Sequence, residues 1–213
     1  RSTRGEIKNL EDQAISLGGS TIFTASQIGD LQVILARFGF SKDEIENSTA
    51  AILDLAAAAG VDLSLAADTA AAVLRAFGLD AVQMGRVVDV MANAFTQSAL
   101  TVETYGEAMK YAAPLAKAAG VSIEETSAML GILADNGLRG SIAGTSLRRI
   151  FTELAKSGKT MQEIFADAGA STAFLADTLG TADDAVGKYA LSAFVILAKN
   201  AALIEENTVS YGR

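Results

Sequence analysis

The chain has no cysteine and no histidine. Without cysteine there is no disulfide framework and no thiolate nucleophile. Without histidine the commonest general base and the commonest metal ligand are both missing, which counts against metalloenzymes and Ser or Cys triads. Proline occurs once, tryptophan not at all, and aromatics make up 6% of the 213 residues. The core must therefore come from Ala, Leu, Ile and Val, a composition suited to helices packed at short distances. Basic charge is also scarce: 17 Lys and Arg stand against 25 Asp and Glu, a net charge of −8. Arg148-Arg149 is the one basic doublet, so the clustered cations that neutralise phosphates are missing and direct nucleic-acid binding is not expected. An acidic surface favours solubility or a basic partner. No uncharged apolar stretch is long enough for an ordinary spanning helix; 90–102 and 189–198 come nearest and read first as buried helices. No run alternates with the period of a strand. The chain begins at Arg1 with neither an initiator Met nor a signal-peptide core, and reads as a piece of a longer polypeptide.

What is abundant is helix punctuation. A capping residue stands three places before Glu or Gln at Thr24/Gln27, Ser41/Glu44, Asp80/Gln83, Ser122/Glu125 and Thr160/Glu163. In such a box the short side chain accepts from the backbone N–H three residues on, and the longer one accepts from the cap's own N–H. Apolar residues flank four of the boxes as staples: Phe23 with Ile28, Phe40 with Ile45, Leu79 with Met84, and Val121 with the Thr126 methyl. Glycines close most of the segments so opened. This predicts helices over 6–17 (ending at Gly18-Gly19), 25–38, 42–59, 63–77, 81–98, 102–119, 123–136, 142–157, 161–168, 172–179 and 182–206. Pro114 falls inside 102–119, where it removes a donor and clashes with the Lys110 carbonyl, so a kink or two half-helices are expected.

The chain also repeats itself at an offset of 60 residues. Leu55-Ala-Ala-Ala-Ala-Gly60-Val61 reappears as Leu115-Ala-Lys-Ala-Ala-Gly120-Val121, and the same shift carries cap Ser41 onto Thr101 and cap Asp62 onto Ser122. Periods of this size mark stacked supersecondary units.

Candidate chemistry is thin. Glu103 and Glu107 share a helix face, and Glu124-Glu125 and Asp183-Asp184 are adjacent pairs, but all fall in first turns, where carboxylates complement the positive end of the helix dipole. Arg148-Arg149 has the form of an anion clamp, yet Arg149 and Glu153 are also at ion-pair spacing on one helix. The segment Asp135-Asn136-Gly137-Leu138-Arg139-Gly140 is Gly-rich and polar but carries neither a calcium-loop ladder nor a phosphate-loop Lys-Ser/Thr; a helix end and a turn explain it. Tyr189 to Ala198 is apolar nearly all round, which fits a central helix, an oligomer interface or, third, a membrane contact.

Several ordered blocks resemble the core region of phage tail tape measure proteins. They are Gly39 to Glu46, Asp54 to Leu63, Val73 to Leu79, Tyr105 to Pro114, Ala118 to Thr126 and, clearest, Leu133 to Ile150. The family's Gly-Thr-x-Leu-Arg-Arg pattern matches Gly144-Thr145-Ser146-Leu147-Arg148-Arg149, and Gly60, Gly120, Gly137 and Gly140 complete the matched positions, all of them structural. The resemblance implies a structural component of a phage or prophage tail, made in the bacterial cytoplasm and carried in the virion tail, inside the tube or at the tip. It implies a part in tail assembly and length determination, with the tail tube protein, assembly chaperones and tail-tip hub as partners and a homo-oligomeric state. It implies no catalytic, cofactor or metal residue in this region; cell-wall-cleaving domains of some members lie elsewhere.

The expectation is therefore an all-α fold: a compact bundle of about ten short helices with an internal helical duplication. It divides into an N-terminal helix and linker (1–20), a core module (21–157, with repeats 41–78 and 101–137) and a C-terminal helical extension (158–213). A ruler gains about 1.5 Å per helical residue only if it stays extended. A chain stopped this often should fold back, as a module attached to the ruler. The rival readings are a helical-repeat adaptor and a fragment of a cell-wall hydrolase.

Overall fold

Caps and stops place the helix ends much as the sequence reading has them. The computed structural model describes residues 4–158, 163 and 185–211. Among these are ten α-helices and no strand: α1 (Arg4–Ser20), α2 (Ala25–Arg37), α3 (Lys42–Ala59), α4 (Leu63–Phe77), α5 (Met84–Gln97), α6 (Val102–Ala118), α7 (Ile123–Asp135), α8 (Gly140–Ser157), α9 (Ala185–Lys199) and α10 (Ala201–Tyr211). Apart from Glu163, the Thr160/Glu163 box, the helices expected over 161–168 and 172–179, and Asp183-Asp184 lie outside the described residues.

Three expected boxes close on both sides at the head of an α-helix. Ser122 Oγ accepts from the Glu125 N–H at 3.1 Å while Glu125 Oε2 accepts from the Ser122 N–H at 2.8 Å; Thr24/Gln27 and Ser41/Glu44 do the same. The Ser41 N–H holds the Glu44 carboxyl below its usual range. A fourth box escaped notice because Thr104 takes the Glu or Gln role: its hydroxyl accepts from the Thr101 N–H at 3.0 Å. The expected Asp80/Gln83 box forms as well, the Asp80 N–H donating to Gln83 Oε1 at 3.3 Å, but it opens a 3-10 turn over Ala81–Gln83, and α5 begins only at Met84. Replacing one cap costs typically about 1 kcal/mol. Ser122→Ala should accordingly lower the urea midpoint by that equivalent without changing the slope of the transition.

Three expectations need correction. The first helix does not end at Gly18-Gly19 but continues to Ser20, with Thr21 Oγ1 donating to the Leu17 carbonyl at 2.8 Å beyond it. Gly18 serves packing: a Cβ there would lie 2.7 Å from the Ala25 nitrogen at the start of α2. Of the two outcomes expected at Pro114, the division into half-helices does not occur: α6 runs unbroken from Val102 to Ala118, with Ala112, Ala113 and Ala116 buried on both sides of the proline. The expected 182–206 helix is two helices that meet at Asn200, whose Nδ2 donates to the Ile196 carbonyl at 2.8 Å. Such side-chain bonds compete with continued helix; α9 then packs on α8, and α10 on α7.

The 60-residue offset reappears in the elements. Lys42 and Val102 open α3 and α6, and Leu63 and Ile123 open α4 and α7. The turns between them share one bond, Val61 N–H to the Ala56 carbonyl at 3.1 Å and Val121 N–H to the Ala116 carbonyl at 2.9 Å. Gly60 and Gly120 sit in the left-handed region at φ 65° and 72°, where a Cβ is penalised.

The chain forms two compact units, one up to Ala92 and one from Asn93 on. This boundary falls within the 21–157 segment expected as one module. In the first unit α2 packs on α1 and α4, and α3 on α4, around Ile28, Leu31, Leu35, Ile52, Ala67, Ala70 and Leu74. Gln32 Nε2 ties α2 to α1 through the Leu10 carbonyl at 3.0 Å and Gln13 Oε1 at 3.2 Å. In the second unit α6 and α8 make the most extensive pair, and α7 is buried along nearly its whole length.

Candidate functional site

The motif residues assemble around one helix crossing in the second unit. α7 ends at Asp135, Asn136 caps it, and Gly137 turns the chain at φ 84°. Three bonds fix this end: Leu138 N–H to the Leu133 carbonyl at 2.8 Å, Asn136 Nδ2 to the Ile132 carbonyl at 2.8 Å, and Arg139 Nε to the Ala134 carbonyl at 3.1 Å. Asp135 also reaches sideways, its Oδ1 accepting from the Ala99 N–H at 2.7 Å. The Gly-rich polar segment is thus a helix end and turn that also fastens the α5–α6 connection.

α8 then crosses α6 at its small residues. Gly140 and Gly144 lie four apart on α8, and Ala108 and Ala112 four apart on α6. A Cβ on Gly140 would run into the Glu107 carboxylate. One on Gly144 would strike the Ala108 carbonyl oxygen and stand 2.8 Å from its Cα and 2.9 Å from its carbonyl carbon. The two backbones are in direct contact, a separation only glycine permits. Leu147, next on this face, is fully buried. Thr145 Oγ1 donates back to the Ser141 carbonyl at 2.7 Å. Arg148 is exposed and Arg149 half-buried, while Glu153 accepts from Lys156 Nζ at 2.9 Å. Gly120 stands at the α6–α7 turn, and Gly60 belongs to the first unit, at the α3–α4 turn.

Beside the crossing lies a polar pair the sequence reading missed. The Tyr105 hydroxyl and Ser127 Oγ are 2.8 Å apart and fully buried. The Tyr105 ring meets Phe95 edge-on at 5.4 Å. Burial pushes the Tyr105 hydroxyl well above its ordinary value; the Ser127 bond opposes this and the Glu124 charge adds to it. Tyr211, from α10, is buried too, and its hydroxyl has no partner among the described residues; burial and the Asp135 charge push it up to about 12.

The carboxylate candidates are built into this frame. Glu125 is half of a capping box, Glu124 is buried in the first turn of α7, and Glu107 lies against the start of α8. No group of three or more Asp or Glu able to hold a metal forms among the described residues. Within Tyr189 to Ala198, Ala190, Ala193, Phe194 and Leu197 are buried and Ser192 is exposed, so one face of α9 is core. No single helix among the described residues is long and apolar enough to cross a membrane; α3 and α4 reach that hydropathy only as a pair bent by 119°.

The first unit carries an open groove of about 920 Å³ between α1, α2 and the start of α3. Exposed Ile7, Ile15 and Val33 line it. It is made where helices cross, so no run of sequence announces it.

Fold and site together define an all-α module whose motif residues hold helices against one another. The chain belongs to the phage-related minor tail protein family, whose pattern it matches over residues 11–200. It is 41% identical, over 170 residues, to the tape measure protein of Pneumococcus phage Dp-1, a match covering 80% of this chain and 15% of that protein. It is 36% identical, over 155 residues, to the probable tape measure protein of Escherichia phage P2, covering 72% of this chain and 19% of that one. The chain therefore spans less than a fifth of the length of these relatives. No solved structure matches it.

Proposed function

We propose that this chain is a folded module of a tape measure protein, serving tail assembly and tail-length determination without catalysing a reaction. It lies inside the tail tube or at its tip, present in more than one copy and in contact with the tube protein, the assembly chaperones and the tip hub. The observation that carries this reading is the α6–α8 crossing. The family's Gly-Thr-x-Leu-Arg-Arg pattern falls there on a backbone contact at Gly144 and a buried Leu147, so the motif specifies packing. The repeated Gly-closed turns support the further point that the segment folds back, while other parts of the protein provide extended length. Peptides from residues 4–158 should be recovered by mass spectrometry from purified intact tails, in stoichiometry with the tip proteins. Their absence from tails that assemble normally would remove the proposal.

A further inference from the structure

The one Asn-Gly pair in the chain is Asn136-Gly137, and it lies exposed at the turn that closes α7. A glycine after asparagine leaves its main-chain nitrogen unshielded, because no side chain stands over it. That nitrogen is a nucleophile for the asparagine's own amide carbon. When it loses its proton to hydroxide and attacks Asn136 Cγ, an N–Cγ bond forms and the Cγ–Nδ2 bond breaks. Nδ2 takes a proton from water and leaves as ammonia. Water then opens the five-membered imide. Cleavage at Cγ leaves aspartate. Cleavage at the main-chain carbonyl leaves isoaspartate, whose main chain runs on through Cβ and Cγ and is one atom longer. Nothing is oxidised or reduced, and the only reagent is water.

The fold opposes each step of ring closure. The ring forms only when Cβ and the Gly137 nitrogen are eclipsed about the Asn136 Cα–C bond. At ψ 14° the Gly137 nitrogen is nearly eclipsed with Asn136's own nitrogen instead, and the tetrahedral Cα keeps Cβ away from it. The Gly137 N–H is engaged, donating to the Ala134 carbonyl at 3.0 Å. The Asn136 side chain is turned back along α7, with Nδ2 donating to the Ile132 carbonyl at 2.8 Å. The bonds from Leu138 and Arg139 to the Leu133 and Ala134 carbonyls hold the turn shut around them. The products undo this arrangement. Aspartate has no donor for the Ile132 carbonyl, and it sets a negative charge beside Asp135 at the negative end of the α7 dipole. Isoaspartate also puts Gly137 and Leu138 one atom out of register with the carbonyls they bond, just before Gly140 opens α8 against α6. We propose that Asn136 is a deamidation site gated by the fold. It is closed in the folded second unit and reactive once the α7–α8 turn opens, and after reaction the turn does not close as before. The modification is thus a one-way record of opening, and it does not depend on the role in the tail proposed above.

Peptide mapping by mass spectrometry tests this on the full chain in mildly alkaline buffer, with and without urea, beside a synthetic peptide of residues 132–140. The urea-unfolded chain should convert Asn136 at the peptide's rate and ahead of its other asparagines. The folded chain should convert it at least tenfold more slowly, because reaction waits on local opening. Arg139→Ala removes one bond that holds the turn, so it should quicken conversion in the folded chain severalfold and leave the matching peptide unchanged. The isoaspartyl chain, recovered from urea and refolded, should unfold at a lower urea concentration than the parent and exchange the Gly137 and Leu138 amide protons at least tenfold faster. A folded chain that converts Asn136 as fast as the peptide, or an unfolded chain that does not convert it, would overturn the proposal. So would an isoaspartyl chain whose urea midpoint and amide exchange equal the parent's. An unchanged rate in folded Arg139→Ala would do so too, because conversion would then not pass through opening of this turn.

Discussion

Gly144→Val should cost the second unit about 3 kcal/mol, at the upper end of what overpacking a close-packed site costs, and lower its melting temperature by roughly 10 °C. The penalty is steric and has no easy relief. The atoms that a Cβ would meet are the backbone of Ala108, which cannot swing aside as a side chain can. α6 and α8 would have to separate, and that uncovers Ala112, Ala143 and Leu147. Gly29→Ala is the control. It too is a helical glycine, but it faces open space, so replacing it should stabilise by about 0.5–1 kcal/mol through helix propensity alone. The opposite signs, read by thermal melts of the two variants, separate glycine as a packing element from glycine as a weak helix former.

Tyr105→Ala should be the second large effect, about 4 kcal/mol, the scale of removing a fully buried aromatic side chain. It empties the space beside Phe95 and leaves Ser127 Oγ buried without its partner. Tyr105→Phe keeps the ring and should cost about 1–2 kcal/mol, the price of the orphaned hydroxyl. The same residue sets a pH dependence. Its folded value is raised above the ordinary 10.0, so above pH 10 the folded chain holds more protons than the unfolded one. Stability is then complete below that pH and falls as pH rises through it. Tyr211, pushed up to about 12, adds to the same loss. Denaturant melts taken from neutral to strongly alkaline pH should show this decline in the parent chain and a shallower one in Tyr105→Phe. Tyrosinate absorbance should show the buried hydroxyls ionising together with unfolding. A parent chain as stable above pH 10 as below it would contradict the argument.

Helix starts were legible because a capping box is local: two side chains and two N–H groups within four residues determine it. Thr24, Ser41 and Ser122 act as their spacing implies, and Thr104 was overlooked only because a hydroxyl does what a carboxylate usually does. Helix ends were less legible, since a glycine can mean a stop or a close approach. Gly60 and Gly120 are stops, whereas Gly18 and Gly144 are contacts, and what decides is the backbone of Ala25 or Ala108, which the sequence around the glycine does not contain. The motif was visible as a resemblance, but its physical basis became visible only when α6 lay across it. Tyr105, Ser127 and Tyr211 come from α6, α7 and α10 and look unremarkable in the chain. The groove is less legible still, being made of the spaces between helices.

The central claim is that this segment is a folded module and adds no ruler length. A phage whose tape measure gene carries the segment twice in tandem tests it most directly, with tail lengths measured by electron microscopy. The account predicts tails of unchanged length. Tails longer by about 320 Å, the rise of a fully helical 213-residue chain at 1.5 Å per residue, would contradict it.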